Sequence, residues 1–431
     1  MRICFIAHQG TKEGAGRFLL DEIDYLLGKK ISVFVILPEA GPLAEALAQR
    51  GVTFEIVPNP WWTKPKHIGQ ELDHEATLDS ARQMAALLRA WSVDLVYTQT
   101  VVAPAGPLAA VFAEKPHIWH IHEFSFNPDC IDMAIPQAAL ARLIDQTSNL
   151  VIFNSQAVAA EWGKWLPASK TKIVRNWIAP GVATPAQSNL AGLAVELEIR
   201  SNQFVIAIAG SILPWKRQMD AVKALANLVK ERLDVVLLII GPTLDANYFK
   251  AIKEFVHKRR LQDRVRFLGY REDTASVMKL AKVTLVCSML EPFGRVTVES
   301  MACGIPVIGA KSGGTVEIIE DEINGLLFTP GNIGDLTTQL RRLMEDETVR
   351  RALGRNALKR AEKFSSADRE MAPLLEQLQS LVGAKNPSGP LPEFFASTFP
   401  PSLAVRKKAT MRTGGKQLAR KIYHRIKRLA A

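Results

Sequence analysis

Two carboxylates, Glu291 and Glu299, flank a predicted helix start and could hold the two ends of one ligand. The apolar run 283–287 before them is typical of a buried strand, and residues 296–302 have helical periodicity. Gly294 therefore lies at a strand-to-helix turn, where unpaired N–H groups and the helix dipole favour an anion such as phosphate. Glu299 follows this turn by roughly 8 Å along the helix axis. A sugar nucleotide has the matching order, with sugar at the first carboxylate, diphosphate at the turn and ribose at the second.

The residues around these carboxylates resemble the signature of the family 4 retaining glycosyltransferases. That signature is a Glu, a Phe-Gly pair and a second Glu, and it continues here through residues 300–310 and the Ser-Gly-Gly of 312–314. On this basis Glu291 is a candidate catalytic residue that holds the transferred sugar. The candidate donor-binding residues of the motif are Phe293, Gly294, Arg295, Val296 and Glu299.

The resemblance implies a fold and an activity. The fold is GT-B, in which two Rossmann-like, doubly wound domains face each other across a cleft. The activity is transfer of a hexose from a UDP- or GDP-linked sugar to an acceptor hydroxyl with retention of anomeric configuration, in polysaccharide or glycolipid biosynthesis. The acceptor would be a sugar or a lipid-linked glycan, and no metal or other cofactor is expected.

A lysine in a second loop could neutralise the diphosphate. Lys216 follows the predicted strand 204–209, and a cation there would stabilise the leaving group as its charge develops. In the family an Arg usually occupies the position of Ser211, and this Arg and the Lys that corresponds to Lys216 both contact the phosphates. We therefore expect Arg217 or Arg295 to supply the second charge. The alternative for Lys216 is a solvated loop lysine.

His122 and Glu123 end a predicted strand in the first half of the chain. Strand periodicity places His120 and His122 on one face, with His122 nearer the carboxyl end. The family has a His followed by an acid at the corresponding place, in contact with the donor sugar or the acceptor, so His122 is the second candidate catalytic residue. His117 cannot share that face, which argues against a metal site, and His120 fits a hydrogen-bonded core residue.

Gly14 and Gly16 lie in a Gly-rich turn between the first predicted strand and the first predicted helix. Leu19 occupies the place of a third glycine, so the turn is a poor dinucleotide-binding fingerprint. The family resemblance implies that this backbone approaches the donor's phosphates or sugar. A tight turn without a ligand is the alternative.

Apolar runs alternate with helical patterns in two stretches, as in parallel sheets covered by helices. We predict an α/β chain with an N-terminal, acceptor-side Rossmann-like domain (1–180), a linker (181–200) and a C-terminal, nucleotide-sugar-binding Rossmann-like domain (201–365). A helix at 366–382 would cross back to the first domain, as in the family. The predicted strands are 3–7, 33–37, 53–57, 94–98, 118–121, 150–153, 204–209, 235–240, 265–268, 283–287, 306–308 and 326–328.

Composition excludes several classes of protein. The 431 residues are 48% hydrophobic, which suffices for two cores. The longest apolar run, 235–240, is far shorter than the roughly 20 residues of a membrane span, and the N-terminus lacks a signal-peptide pattern. The four cysteines are scattered, which favours buried thiols over disulfides or zinc ligands. We therefore expect a cytoplasmic protein.

The basic charge is concentrated at the C-terminus. Residues 383–431 form a Pro-containing tether and a tail, and residues 406–428 contain ten Lys or Arg and no acidic residue, which leaves about +1 of the net +11 for the rest. Apolar residues in the tail recur at helical spacing. Such a sequence could lie peripherally on the anionic inner face of a membrane. A disordered, solvated tail is the alternative, and nucleic acid is a less favoured partner.

Two other functions fit the same architecture. A nucleotide-sugar epimerase would alter the donor without an acceptor. A non-catalytic scaffold would bind the sugar nucleotide without turnover. The sequence leaves the base, the sugar, the acceptor and the retention mechanism open.

Overall fold

The N-terminal half of the chain forms a seven-stranded parallel sheet. The computed structural model describes residues 1–63, 73–124, 131, 133, 135–179 and 189–387. In spatial order the strands of this sheet are β3-β2-β1-β4-β5-β6-β7. Their bounds are β1 (Arg2–Ile6), β2 (Ser32–Leu37), β3 (Thr53–Ile56), β4 (Leu95–Gln99), β5 (His117–Ile121), β6 (Leu150–Phe153) and β7 (Thr171–Ile173).

Helices connect these strands, as parallel pairing requires. The helix that follows β1 carries an apolar stripe with Phe18, Leu19, Ile23 and Leu26, all buried in the core of this domain. The helices are α1 (Ala15–Gly28), α2 (Pro42–Gln49), α3 (His74–Ala90), α4 (Ala105–Phe112), α5 (Gln137–Thr147) and α6 (Gln156–Trp162).

The C-terminal half forms a six-stranded parallel sheet in the spatial order β10-β9-β8-β11-β12-β13. Its strands are β8 (Phe204–Ala209), β9 (Val235–Ile240), β10 (Val265–Gly269), β11 (Val283–Val286), β12 (Val307–Ala310) and β13 (Leu326–Phe328). Its helices are α7 (Leu190–Glu196), α8 (Gln218–Lys230), α9 (Ala246–Lys258), α10 (Thr274–Lys279), α11 (Arg295–Ala302), α12 (Thr315–Ile318), α13 (Ile333–Glu345) and α14 (Glu347–Ala361). Apolar clusters cover both faces of this sheet.

The last described helix, α15 (Ala367–Ser380), packs on the first sheet. Its N-cap is Ser366, whose side chain accepts from the N–H of Arg369. Met371, Leu374 and Leu378 are buried in the core that β1 and β2 also form. The chain therefore returns to the N-terminal domain after completing the C-terminal one.

The strand order places one crevice in each sheet. β1 lies between β2 and β4, and β8 lies between β9 and β11, so the direction of winding changes beside β1 and beside β8. Loops that leave the carboxyl ends of the strands at such points diverge, and ligands bind between them. The loops after β1, β8 and β11 carry the candidate residues Gly14, Ser211 and Glu291.

Two features of the fold differ from the sequence-based expectation. Helix α7 lies inside the predicted linker, because Leu193 and Leu197 bury their side chains in the C-terminal core. The edge strand β7 was not predicted, since Thr171 and Lys172 lack an apolar pattern. Residues 181–188 of the predicted linker and the basic tail 406–428 lie outside the described residues.

Candidate active site

A cavity of about 610 Å³ opens between the carboxyl edges of the two sheets. The loops after β1 and β5 form one wall, and the loops after β8 and β11 form the other. Ten of the predicted site residues line it, from both domains. They are Gly14, His122, Ser211, Lys216, Glu291, Phe293, Gly294, Arg295, Val296 and Glu299.

Gly294 begins the anion-binding turn of the C-terminal wall. Its φ of 105° is in the left-handed region that glycine adopts most easily, and it caps α11. The first amides of α11 have no partner within the helix and border the cavity at Arg295 and Val296. The Phe293 ring is buried against the Phe364 ring, with 5.8 Å between the centroids, so this side chain anchors the turn from the core.

A glycine pair fixes the backbone of Glu291 from behind. The N–H of Gly314 donates to the Glu291 carbonyl at 2.7 Å. A Cβ on Gly313 would lie 2.3 Å from the same carbonyl oxygen, so only glycine permits this approach. The Ser-Gly-Gly segment of the motif therefore has a structural role, which is to hold the Glu291 loop.

Lys216 and Glu291 form an ion pair at the mouth of the C-terminal wall. The ammonium nitrogen lies 2.8 Å and 3.1 Å from the two carboxylate oxygens. A hydrogen bond from the Met289 N–H to the Trp215 carbonyl ties their loops together at 3.0 Å. The pair presents adjacent positive and negative charge, which suits a phosphate next to a sugar hydroxyl.

Both arginines that were proposed as a second phosphate cation have carboxylate partners. Arg217 binds Asp220 at 2.5 Å and does not line the cavity. The Arg295 guanidinium donates to Asp21 at 2.8 Å, across the cleft, and its Nε lies 3.6 Å from Glu299. Both guanidinium groups are thus engaged in ion pairs, and a second phosphate cation at either position stays a prediction. Glu299 lines the cavity, but its carboxylate faces Arg295.

The N-terminal wall begins with the Gly-rich turn before α1. Gly14 has a φ of 50° and lines the cavity. Gly16 is buried, and a Cβ there would lie 2.2 Å from the Thr11 carbonyl oxygen, so it closes the turn and does not line the cavity. Immediately before Gly14, the Glu13 carboxylate accepts from the Ser211 hydroxyl at 3.0 Å, which joins the two walls.

His122 lies at the carboxyl end of β5 and is almost wholly buried. Its Nε2 is 2.5 Å from the Gln99 amide oxygen, and its ring stacks on His120 with 4.0 Å between the centroids. Burial lowers the pKa of His122 well below its usual value, and the neighbouring His120, His8 and Arg295 lower it further. The ring is therefore neutral near pH 7.

Other residues that were not candidates from the sequence also line the cavity, among them Glu123, Lys12 and Arg17. Burial raises the pKa of Glu123 to about 7, although its carboxylate accepts from the N–H groups of Val101 and His122. Lys12 and Arg17 line the N-terminal wall and have no ion-pair partner in the described chain. Position next to a candidate His or Gly could have indicated Glu123 and Arg17, whereas no sequence pattern marks Lys12.

Two classes of feature are missing from the described part of the chain. No group of three or more His, Cys, Asp or Glu is arranged to hold a metal ion there. Among the same residues, no helix is both long and apolar enough to cross a membrane.

The chain matches two protein families. Residues 12–181 match the family described as Glycosyltransferase Family 4, and residues 193–360 match the family described as Glycosyl transferases group 1. Together these ranges include both walls of the cavity.

Several known proteins are similar to this chain. Anabaena HepE, crystallised with UDP-glucose, is 27% identical with a TM-score of 0.76, over 88% of this chain and 100% of that one. N-acetyl-alpha-D-glucosaminyl L-malate synthase of Bacillus anthracis is 32% identical over 39% of this chain. D-inositol 3-phosphate glycosyltransferase of Corynebacterium kroppenstedtii is 34% identical over 40%. The chain spans 43% and 40% of the length of these two curated relatives.

Proposed function

Because the chain belongs to the family 4, group 1 glycosyltransferases, we propose that it transfers a hexose from a nucleoside-diphosphate sugar to an acceptor hydroxyl, with retention of anomeric configuration. The observation that carries this proposal is the cavity in which the Lys216–Glu291 pair and the α11 amides lie opposite His122. The crystallised complex of HepE with UDP-glucose favours a UDP-linked donor. A role in polysaccharide or glycolipid biosynthesis follows if the acceptor is a growing glycan.

In this proposal each wall binds a different part of the donor. The α11 amides and Lys216 bind the diphosphate, Glu291 accepts hydrogen bonds from the sugar, and Glu299 accepts from the ribose after release from Arg295. His122 accepts from the sugar on the opposite side. Lys12 and Arg17 add positive charge opposite Lys216, which compensates for the uncharged Ser211.

The reaction breaks the bond between the sugar C1 and the donor phosphate oxygen and forms a bond from C1 to the acceptor oxygen, while the acceptor hydroxyl loses its proton. Negative charge develops on the departing diphosphate, where Lys216 and the amides of α11 stabilise it. The contacts between Ser211 and Glu13 and between Arg295 and Asp21 join the walls. Closure of the cleft around the donor would keep out water, which would otherwise compete with the acceptor.

A donor screen tests this function. The protein is incubated with UDP-, GDP- and ADP-sugars, with and without glycan acceptors, and the products are separated. Nucleotide release together with a glycosylated acceptor of the donor's anomeric configuration supports retaining transfer. An altered donor without acceptor would instead identify an epimerase, and binding without turnover would identify a scaffold.

We also propose that no metal takes part. The diphosphate charge would be balanced by Lys216 and helix amides, so we expect a chelator such as EDTA to leave the transfer rate within about twofold of its value in buffer. A loss that added Mg²⁺ or Mn²⁺ restores would contradict this proposal.

The basic sequence 406–428 would hold the enzyme at an anionic membrane, near lipid-linked acceptors. The structure refines where the chain should be cut to test this. Asn386 donates to the carbonyls of Lys115 and Thr147, and the Lys385 carbonyl accepts from Asn149, so the truncation should begin after Pro387. We expect the truncated protein to keep its activity on soluble acceptors and to lose most binding to phosphatidylserine vesicles. Equal vesicle binding by both proteins would refute the membrane proposal.

A further inference from the structure

A buried carboxylate lies behind the N-terminal wall, at Glu22 of α1. Its side chain is wholly buried, and among the described residues the one basic group within ion-pair distance is the His120 ring, 3.5 Å away. Glu22 accepts from the Tyr97 hydroxyl at 2.9 Å and from the side-chain N–H of Gln99. Burying a carboxylate without a full counter-charge is costly, so a role for it beyond packing is expected.

The donors and acceptors of this cluster have a fixed direction. Both Glu22 carboxylate oxygens accept, one from the Tyr97 hydroxyl and the other from Nε2 of Gln99, so the nitrogen of the Gln99 amide faces Glu22. The amide oxygen of Gln99 then faces His122 Nε2, at 2.5 Å. Since that oxygen can only accept, Nε2 must carry the proton of the neutral ring. Nδ1 consequently carries no proton and can accept a hydrogen bond.

The free nitrogen of His122 is available to a ligand. Nδ1 has no hydrogen-bond partner among the described residues, and it is not one of their fully buried, unpaired polar atoms. His122 lines the cavity, and Asn154 holds its backbone carbonyl at 3.1 Å. A fixed acceptor at this place suits a hydroxyl donor, and it repels a second acceptor.

We infer that Glu22, acting through Gln99, holds His122 in the Nε2–H tautomer so that Nδ1 accepts a hydrogen bond from a hydroxyl of the donor sugar. Glu22 and Gln99 are thus positioning residues that never touch the substrate. The recognition of a sugar rests on the proposed function, whereas the tautomer is a property of the free protein. Loss of the fixed tautomer would weaken the bond to the sugar and leave the diphosphate contacts unchanged.

NMR of the full-length protein labelled with ¹⁵N-histidine tests the tautomer directly, because protonated and bare ring nitrogens have well-separated shifts. His122→Asn assigns the signals. We expect one protonated Nε2 and one bare Nδ1 in the wild type. In Glu22→Gln the amide at position 22 can donate or accept, so Gln99 is free to turn and the His122 signals should shift toward a mixture of tautomers.

A swapped pair separates positioning from mere stability. In the double variant Glu22→Gln/Gln99→Glu, the carboxylate at position 99 accepts both from the amide at position 22 and from His122 Nε2, so the wild-type tautomer should return. His117→Gln is the matched control: it breaks bonds from the same buried strand to Thr98 and Ser148, and it should lower Tm without moving the His122 signals.

Kinetics complete the test. We expect Glu22→Gln to raise the KM for the sugar nucleotide about three- to tenfold, to leave the Kd for UDP alone within twofold, and to be rescued by the double variant. Unchanged His122 signals in Glu22→Gln, or a wild type protonated at Nδ1, would overturn the inference. If the wild type shows no transfer, the proposed function fails, while the NMR result still decides the tautomer.

Discussion

The two walls of the cavity are built in different ways. The C-terminal wall takes its chemistry from one short segment, 291–299, and from a single loop lysine. The N-terminal wall takes its chemistry from separate elements, because Glu22 lies on α1, Gln99 on β4 and His122 after β5. Its groups are far apart in the chain and are joined only by the pairing of strands.

The two walls also differ in electrostatics. Ion pairs accessible from the cavity dominate the C-terminal wall, where the Lys216 and Glu291 side chains are 28% and 12% exposed. The N-terminal wall combines the cations Lys12 and Arg17 with buried groups, and burial lowers the pKa of His122 and raises that of Glu123. The ion pair of the C-terminal wall is suited to holding phosphate, and the buried groups of the N-terminal wall, with their fixed hydrogen-bond directions, are suited to choosing a sugar.

The largest effect should come from the ion pair of the C-terminal wall. Glu291→Gln removes the carboxylate that would hold the sugar and leaves Lys216 without its partner, so we expect the transfer rate to fall about a hundredfold or more. Glu231→Gln is the control, because it removes a carboxylate from an ion pair with Arg341 away from the cavity. Steady-state kinetics on both variants checks this, and a Glu291→Gln enzyme within threefold of wild type would refute the assigned role.

A glycine pair tests whether the C-terminal wall depends on its backbone. Gly313→Ala places a Cβ 2.3 Å from the Glu291 carbonyl at a φ of 53°, and we expect it to cost about 3 kcal/mol of unfolding free energy and most of the activity. Gly304→Ala has the same unfavourable sign of φ, at 73°, with nothing within 4 Å of the added Cβ. Gly304→Ala should lower the unfolding free energy by about 1 kcal/mol and leave the activity unchanged. Denaturant unfolding distinguishes the two, and equal costs would contradict the steric account.

The smallest effect should come from Glu123 on the N-terminal wall. Its folded pKa of about 7 is above the ordinary value of 4.5, so the folded protein binds this proton more tightly than the unfolded chain does. Wild-type stability therefore falls as the pH rises from about 4.5 to about 7. Glu123→Gln has no such proton to lose, so its stability relative to wild type should rise by roughly 3 kcal/mol between pH 4.5 and pH 8.

Unfolding curves at the two pH values measure this difference. Glu231→Gln provides the comparison, because Arg341 lowers the pKa of Glu231 and places its titration below pH 4.5. Its stability relative to wild type should stay level from pH 4.5 to pH 8. A level result for Glu123→Gln as well would mean that the carboxyl is ionised and solvated, like its exposed counterparts.

Much of the fold was predictable because its signals are local. The strand at 204–209 was predicted with the bounds that β8 has, and the strand at 150–153 was predicted with the bounds of β6. The predicted family and GT-B fold are confirmed by the two family matches and by the two parallel sheets. Helix α7 was taken for a linker because only Leu193 and Leu197 mark its apolar side.

The roles of the arginines show where sequence reasoning stopped. Arg217 and Asp220 are three residues apart at a helix start, so their ion pair could have been anticipated from spacing alone. Arg295 meets Asp21, 274 residues away in the chain, and no pattern in the sequence indicates that contact. The positive charge of Arg295, for which the sequence indicates no partner, is therefore balanced by a residue of the other domain.

The sequence by itself determined the parallel architecture and the acid-flanked helix start, because periodicity and a contiguous motif depend on neighbours along the chain. Only the tertiary structure decided which charges are paired, which carboxyl holds its proton near pH 7, and which nitrogen of His122 faces the cavity. These properties depend on burial and on hydrogen bonds between distant strands, and the chain creates both only when its two sheets are complete.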